Sequence, residues 1–288
     1  MVTTRHSNAY TDYALSSLIR HTRFEPDDEI VLIDNDRAYG ELPPECRGRV
    51  HVHVNDTPRS FAANVNQTME RAREREADIV FLNNDLIFSP DWYEPMRVTG
   101  NFLLSPVSNA ELAYTAGDLN CKLGMDLEDY LGRESLFLDI ASHHQANSHG
   151  YRSVLKFGFF AVKIPHAVYS VVGPFDEGFG VGGGEDTDYC IRCHLQGIEL
   201  RYALNSYLLH FIGKSTWRGA ETREQTIARD QVYRERFKQK WGRVLFALLI
   251  MDDVSGLSAE LLRALHGGEF RGVVESLARR APVSRGTS

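Results

Sequence analysis

The chain is poor in cysteine, with four in 288 residues, so a disulfide framework is not what holds it together. Cys190 and Cys193 form a CxxC, but neither Cys46 nor Cys121 supplies a second pair at zinc-site spacing. Their segment reads as helix, so the pair is two small buried residues one turn apart. Long apolar runs are also missing. The most apolar stretch, residues 244–251, is far shorter than the roughly 20 residues a membrane span requires. Residues 1–10 have no apolar signal-peptide core, and a cytoplasmic protein that touches at most a membrane surface is expected. Nor is there an excess of positive charge. The formal net charge is −7 and the basic residues are scattered, which argues against nucleic acid as a partner. A local site for a small anion stays open on an acidic protein.

What is present is an ordinary globular composition, 43% hydrophobic and 25% charged. Short β-branched runs alternate with longer amphipathic segments, the pattern of βαβ units and a mostly parallel sheet flanked by helices. Strands are expected at residues 2–4, 30–33, 50–54, 79–82, 102–107, 155–164 and 198–203. Helices are expected around Leu15 and Leu18, over 61–75, after Asp91, after Pro165 and over 185–195. Residues 110–150 lose periodicity and read as an irregular insertion, its His143, His144 and His149 as a solvated loop. The chain after 198–203 is mostly helical.

Polar residues recur at the C-terminal ends of the strands, where open α/β sheets bind ligands. Thr3, Thr4 and Arg5 follow the first strand, Asp34 and Asp36 the second, and Asn83-Asn84-Asp85 the fourth. Any one of these is equally a turn former, but three ends in register make a site. A carboxylate such as Asp85, immediately after a buried strand, suits a hard divalent cation gripping a diphosphate. His210, leaving a short strand at 207–209, is placed to complete such a metal site. The strongest element is Gly173-Pro174-Phe175-Asp176-Glu177, then Gly182-Gly183-Gly184-Glu185-Asp186-Thr187-Asp188-Tyr189. Acids favour a positive helix end, yet that does not account for three consecutive glycines. A carboxylate delivered there can deprotonate an acceptor hydroxyl as general base.

Taken in order, the Asn-Asn-Asp after a strand, the Gly-Glu-Asp-Thr-Asp block and His210-Phe211-Ile212-Gly213-Lys214-Ser215-Thr216 resemble the family 2 glycosyltransferases of the GT-A fold. The resemblance runs from about Val2 to Gly242 and includes Phe237-Lys238-Gln239-Lys240-Trp241-Gly242, similar to a phrase that closes that family's catalytic domain. It implies a catalytic domain over 1–242 and a helical extension over 243–288. It implies an inverting transferase moving a sugar from a nucleoside-diphosphate donor, UDP favoured, to a hydroxyl. Asp186 would be the base, with Glu185 placing acceptor or donor. Asp85 and His210 would hold Mn²⁺ or Mg²⁺, although Asn83 stands where the family has an acid. Thr3, Thr4, Arg5, Asp34 and Asn84 would hold the nucleotide, and Lys214 and Trp217 lie near the diphosphate or a closing loop. Gly183, Gly184, Trp92 and Phe159 would line the donor and acceptor pocket, with Tyr93, Tyr114 and Tyr151 as further rings for sugar faces. The resemblance further implies an acceptor that is a glycan, a lipid-linked glycan or a protein, in the manner of surface-polysaccharide synthesis.

The tail carries Leu257, Leu261, Leu262 and Leu265, then Val273, Val274 and Leu277, at helical spacing. Such helices cover a core or pack against a second copy. Arg271, Arg279, Arg280 and Arg285 also suit docking on anionic lipid. Two rival readings remain. A sugar-phosphate nucleotidylyltransferase uses a related sheet, but Thr3-Thr4-Arg5-His6-Ser7 lacks its glycine-rich basic loop. A catalytically silent sugar-binding relative has no evident need of Asp85, Asp186 and His210 together.

Overall fold

A computed structural model describes residues 1–109, 123–214 and 221–279. Tyr114, Cys121, Trp217, Arg280 and Arg285 lie outside the described residues. Two sheets carry the fold. β1 (Val2–Thr3), β2 (Ile30–Asp34) and β3 (Val50–Val54) pair in that order, all parallel. The helix α1 (Asn8–His21) makes the crossover from β1 to β2. The larger sheet contains β4 (Ile79–Leu82), β5 (Leu86–Phe88), β6 (Phe102–Ser108), β8 (Ala161–Ile164) and β9 (Glu199–His210), ordered β4-β8-β6-β9-β5. A short β7 (Tyr151–Ser153) joins the side of β9. The fold is thus α/β, with parallel pairing in the first sheet and between β6 and β9, and antiparallel pairing elsewhere.

The remaining helices are α2 (Phe61–Arg73), α3 (Leu127–Gly132), α4 (Glu134–Asn147), α5 (His166–Val172), α6 (Glu185–Leu195), α7 (Arg223–Ile250), α8 (Ala259–His266) and α9 (Phe270–Ala278). Local chemistry sets several starts: Ser60 caps α2 by accepting from the Ala63 amide, and Thr222 and Gln225 form a reciprocal box at α7. Residues 127–147, expected to be irregular, are two helices. Only Phe137 and Ala141 of α4 are buried, so its apolar stripe is too thin to read. His143 and His144 therefore sit on a helix, and His144 bonds the Leu204 carbonyl at 2.7 Å. The strand expected over 155–164 begins only at Ala161. Phe157, Phe159 and Phe160 are buried as loop instead.

The two strands expected at 198–203 and 207–209 are one, β9. Ala203 faces Pro106 and Tyr207 faces Val107, so residues 204–206 are extra and bulge out. One core lies between the larger sheet and α2, α5 and α6; another packs α1 against β2, β5 and Trp92. A third joins α6 and α7 to α8 and α9, with Ile191, Phe237, Leu245, Leu265 and Val274 at its centre. α7 bends at Gly242, whose φ of 79° and ψ of 170° are not helical. Cys190 and Cys193 are buried on α6, as their spacing implied. Among the described residues no helix is long and apolar enough to cross a membrane.

Candidate active site

A cleft of about 920 Å³ opens where the strand ends, the glycine loop and α7 converge. His210, Asn83 and Phe159 contribute from one side, Gly183, Gly184, Glu185 and Asp186 from another. The sequence-predicted base, glycines, Phe159 and His210 are therefore brought together.

Asp85 stands just before β5, and β5 pairs with the end of β9, so Leu86 is opposite His210. That register sets the His210 Nε2 3.4 Å from Asp85 Oδ1. The second Asp85 oxygen accepts from the Lys214 amide at 2.9 Å. The imidazole stacks on Phe160 at 5.2 Å. Asp85 Oδ1 and both His210 nitrogens are buried without a hydrogen-bond partner among the described residues. Buried polar atoms are ordinarily satisfied, and one carboxylate with one imidazole is a donor set suited to a borderline divalent ion. No cluster of three His, Cys, Asp or Glu occurs among the described residues, so these two would be the protein's share.

The glycine loop ends in Gly183 and Gly184, with φ of 122° and 81°. A Cβ on Gly183 would meet the Tyr233 ring at 2.7 Å, so glycine serves there both for backbone and for space. Gly183→Ala is expected to cost about 1–3 kcal/mol of stability, read as a lowered midpoint in denaturant. The Glu185 carboxylate turns back to accept from the Gly183 amide. The Asp186 carboxylate accepts from the Thr187 amide at 2.6 Å. Burial pushes the Asp186 carboxyl up from its ordinary range, against the pull of the Thr187 amide and the Lys156 charge. Glu185 is raised for the same reason, and next by the Asp186 charge. A carboxylate made more basic by its surroundings is fitted to take a proton.

Both ends of this loop are fastened to α7 by one cation. Lys240 Nζ lies 2.7 Å from Asp176 and 2.6 Å from the fully buried Asp188. Arg236 adds a second bond to Asp176, and Arg192 and the Trp241 indole complete Asp188. Lys240 and Trp241 belong to the phrase noted near residue 242. Their work is to hold the segment that carries Glu185 and Asp186.

Other predicted residues are occupied elsewhere. Trp92 is buried in the core beside Phe88 and donates to Thr22, so it is no part of the cleft. Tyr93 packs on Trp92, and Tyr151 donates to the Pro95 carbonyl. Asn84 is fully buried, its amide donating to Ser7 and Thr11 at 2.8 and 2.7 Å, which ties the turn to α1. Thr3 bonds Thr11 and Asn8, and Arg5 pairs with Asp36 at 3.0 Å. The Asp34 carboxylate accepts from the amides of Ala38 and Tyr39, at 3.2 and 3.1 Å. In their place Val2, Asn35, Arg59 and Asn64 line the cleft. Asn35, Asn55 and Asn64 bond one another and hold the 55–60 turn that presents Arg59. The sequence signal was there: Asn35 and Asn55 each directly follow a strand.

Comparison with known proteins gives a family and a fold. The model of the family described as Glycosyl transferase family 2 matches residues 1–97. No curated protein sequence matches. Among solved structures, GalNAc-T7 with UDP, GalNAc and Mn²⁺ is similar at 15% identity and a TM-score of 0.54. The match covers 96% of this chain and 56% of that one, so this chain spans little more than half its length. The mannosyltransferase PcManGT from Pyrobaculum calidifontis with GDP-Man and Mn²⁺ is similar at 11% identity and a TM-score of 0.49, over 100% of this chain and 76% of that one. The family match thus takes in Asn83-Asn84-Asp85 and ends before the Gly-Glu-Asp block and His210, and the structural similarity shows the GT-A fold.

Proposed function

We propose that the chain is an inverting glycosyltransferase that moves a sugar from a nucleoside-diphosphate donor, UDP favoured, to a hydroxyl acceptor. The observation that carries this reading is one cleft lined by both the Asp186 carboxylate and His210, the partner of buried Asp85. The family match over residues 1–97 supports it, as do the UDP and Mn²⁺ bound by GalNAc-T7 in the structure similar to this one. Residues 1–242 form the catalytic part in this reading, and residues 243–288 a C-terminal helical extension.

Asp186 accepts the proton of the acceptor hydroxyl as that oxygen bonds to the anomeric carbon. The bond from that carbon to the diphosphate breaks, so the configuration inverts and the nucleoside diphosphate leaves with the electron pair. Glu185, bound to the Gly183 amide, keeps the helix start and its neighbour in place. Asp85 and His210 would hold a divalent ion, which as a Lewis acid stabilises charge on the departing diphosphate. Lys156, lining the same cleft, holds its ammonium on the Leu249 carbonyl and Asp252.

Incubation with UDP-, GDP- and dTDP-sugars and Mn²⁺ tests the reading. Nucleoside diphosphate release is expected, lost on chelation and restored by Mn²⁺. Asp85→Asn should lower kcat by about 10²-fold or more, since a lost ligand to a charge-stabilising centre has effects of that size. Pyrophosphate chemistry instead would mark a nucleotidylyltransferase, and sugar binding without either product a silent relative.

A further inference from the structure

The first half of α7 is built the opposite way from a helix that only covers a core. A covering helix buries an apolar stripe and leaves its polar face to water. Here Thr226, Arg229, Asp230 and Tyr233, spaced i, i+3, i+4 and i+7, share one face, and that face lines the cleft. The apolar Ile227 and Val232 are turned to solvent instead, 48% and 52% exposed.

The inward polar face is organised. The Arg229 side chain is only 8% exposed and is held by Glu221 at 3.1 Å and Asp230 at 3.3 Å. The Tyr233 hydroxyl accepts from Arg234 at 3.3 Å, and its ring lies against Gly183 and Gly184, immediately before Glu185 and Asp186. The Thr226 hydroxyl donates to the Thr222 carbonyl and Glu221, and the Asp230 carboxylate, 31% exposed, also meets Arg234 at 3.6 Å. The wall beside the proposed base is therefore polar and pre-ordered over two helical turns, with acceptor oxygens left to share. An alkyl chain seated there would take water from the Asp230 carboxylate and offer it no hydrogen bond in return. A ligand with closely spaced hydroxyls, which both donate and accept, can satisfy such a wall, and its C–H face can rest on an aromatic ring.

We infer that the acceptor is a saccharide, seated on the Thr226, Arg229, Asp230 and Tyr233 face of α7 with one hydroxyl toward Asp186. This rests on the transferase reading above and names the class of its acceptor. The probes are methyl glycosides of glucose, galactose, mannose and N-acetylglucosamine, a serine-rich peptide, and phosphatidylglycerol vesicles. Binding is read by saturation-transfer NMR without donor, and transfer by product formation with Mn²⁺ and the active donor. A glycoside is expected to bind and to be glycosylated. Tyr233→Ala and Asp230→Asn should each raise its KM about tenfold, the loss of one good contact, while the Kd for UDP with Mn²⁺ stays within about twofold. Because Tyr233 also backs the glycine loop, Asp230→Asn decides the matter if Tyr233→Ala loses turnover. Binding or transfer confined to the peptide or the vesicles overturns the inference, as does an Asp230→Asn enzyme with unchanged acceptor KM. Glycoside binding that Asp230→Asn weakens, in a protein that releases nucleotide from no donor, leaves the saccharide site standing and overturns the transferase reading instead.

Discussion

Asp186→Asn is expected to lower kcat by about 10²–10⁴-fold, the range for a lost general base, with donor KM little changed. The amide keeps the shape of the carboxylate and its contact with the Thr187 amide region, so the loss reports the missing base and not a collapsed loop. Stability should move the other way. Burial raises the Asp186 carboxyl in the folded state, so the folded protein binds that proton more tightly than the unfolded chain. Stability therefore falls as pH rises from the ordinary carboxylate range, about 4, through the raised folded value. Asparagine has no charge to bury. The variant should be as stable as the parent near pH 4 and more stable at pH 8, as thermal unfolding at the two pH values would read. For the parent enzyme, kcat/KM should rise with pH along a limb displaced upward from the ordinary carboxylate range. Near wild-type turnover in Asp186→Asn, with the fold intact, would remove Asp186 as base.

Lys240→Met should be the most damaging single change away from the cleft's polar groups. It takes the shared cation from Asp176 and from Asp188, whose side chain has no exposure to water. Breaking a buried ion pair by removing one partner costs about 3–5 kcal/mol, and the lower end is expected because Arg192 and Trp241 still reach Asp188. Burial works to raise the Asp176 carboxyl, but the bonds from Lys240 and Arg236 outweigh it and bring it down to about 2. A depressed carboxylate stabilises the fold above its unfolded value and loses that contribution as pH falls through the folded one. The gap between parent and Lys240→Met should therefore be widest above pH 4 and narrow toward pH 2. Denaturant titration at several pH values measures it, and a gap that stays constant would mean Lys240 acts through packing alone. Lys240→Arg, which keeps the charge, should recover most of the loss.

How far the sequence could be read depended on whether a signal was local. α6 was legible to the residue, because three glycines and an acidic first turn mark its start and Gly197 follows its end. β2, β3 and β4 were legible as β-branched runs. β5 was missed, being three apolar residues directly after Asp85, with no turn signal of its own. In the site, Glu185, Asp186, Gly183, Gly184, Phe159 and His210 line the cleft as expected. Asp34, Asn84 and Thr3 carry the right chemistry at the right strand ends, yet the Asp34 carboxylate, the Asn84 amide nitrogen and the Thr3 hydroxyl are bonded to neighbours. Asp34 is engaged because the chain turns back at Arg37, with a φ of 57°, and aims two amides at it. No pattern in the sequence distinguishes a carboxylate facing a ligand from one facing its own loop. The cleft face of α7 escaped for a different reason: a search for apolar stripes passes over a helix whose inner face is polar.

The bulge at residues 204–206 decides which face of the sheet His210 occupies. Before it, even-numbered Leu200 and Tyr202 point into the core that holds α6; after it, odd-numbered Tyr207 and Leu209 do. Three extra residues, an odd number, have inverted the alternation of the strand. His210 consequently shares its face with Leu208 rather than with Leu200, and that face meets Asp85. Were the strand after the bulge to slide by one residue against β6 and β5, the imidazole would turn into the hydrophobic interior, with Leu209 or Phe211 in its place. The register that this irregularity sets thus fixes whether the imidazole reaches Asp85 at all.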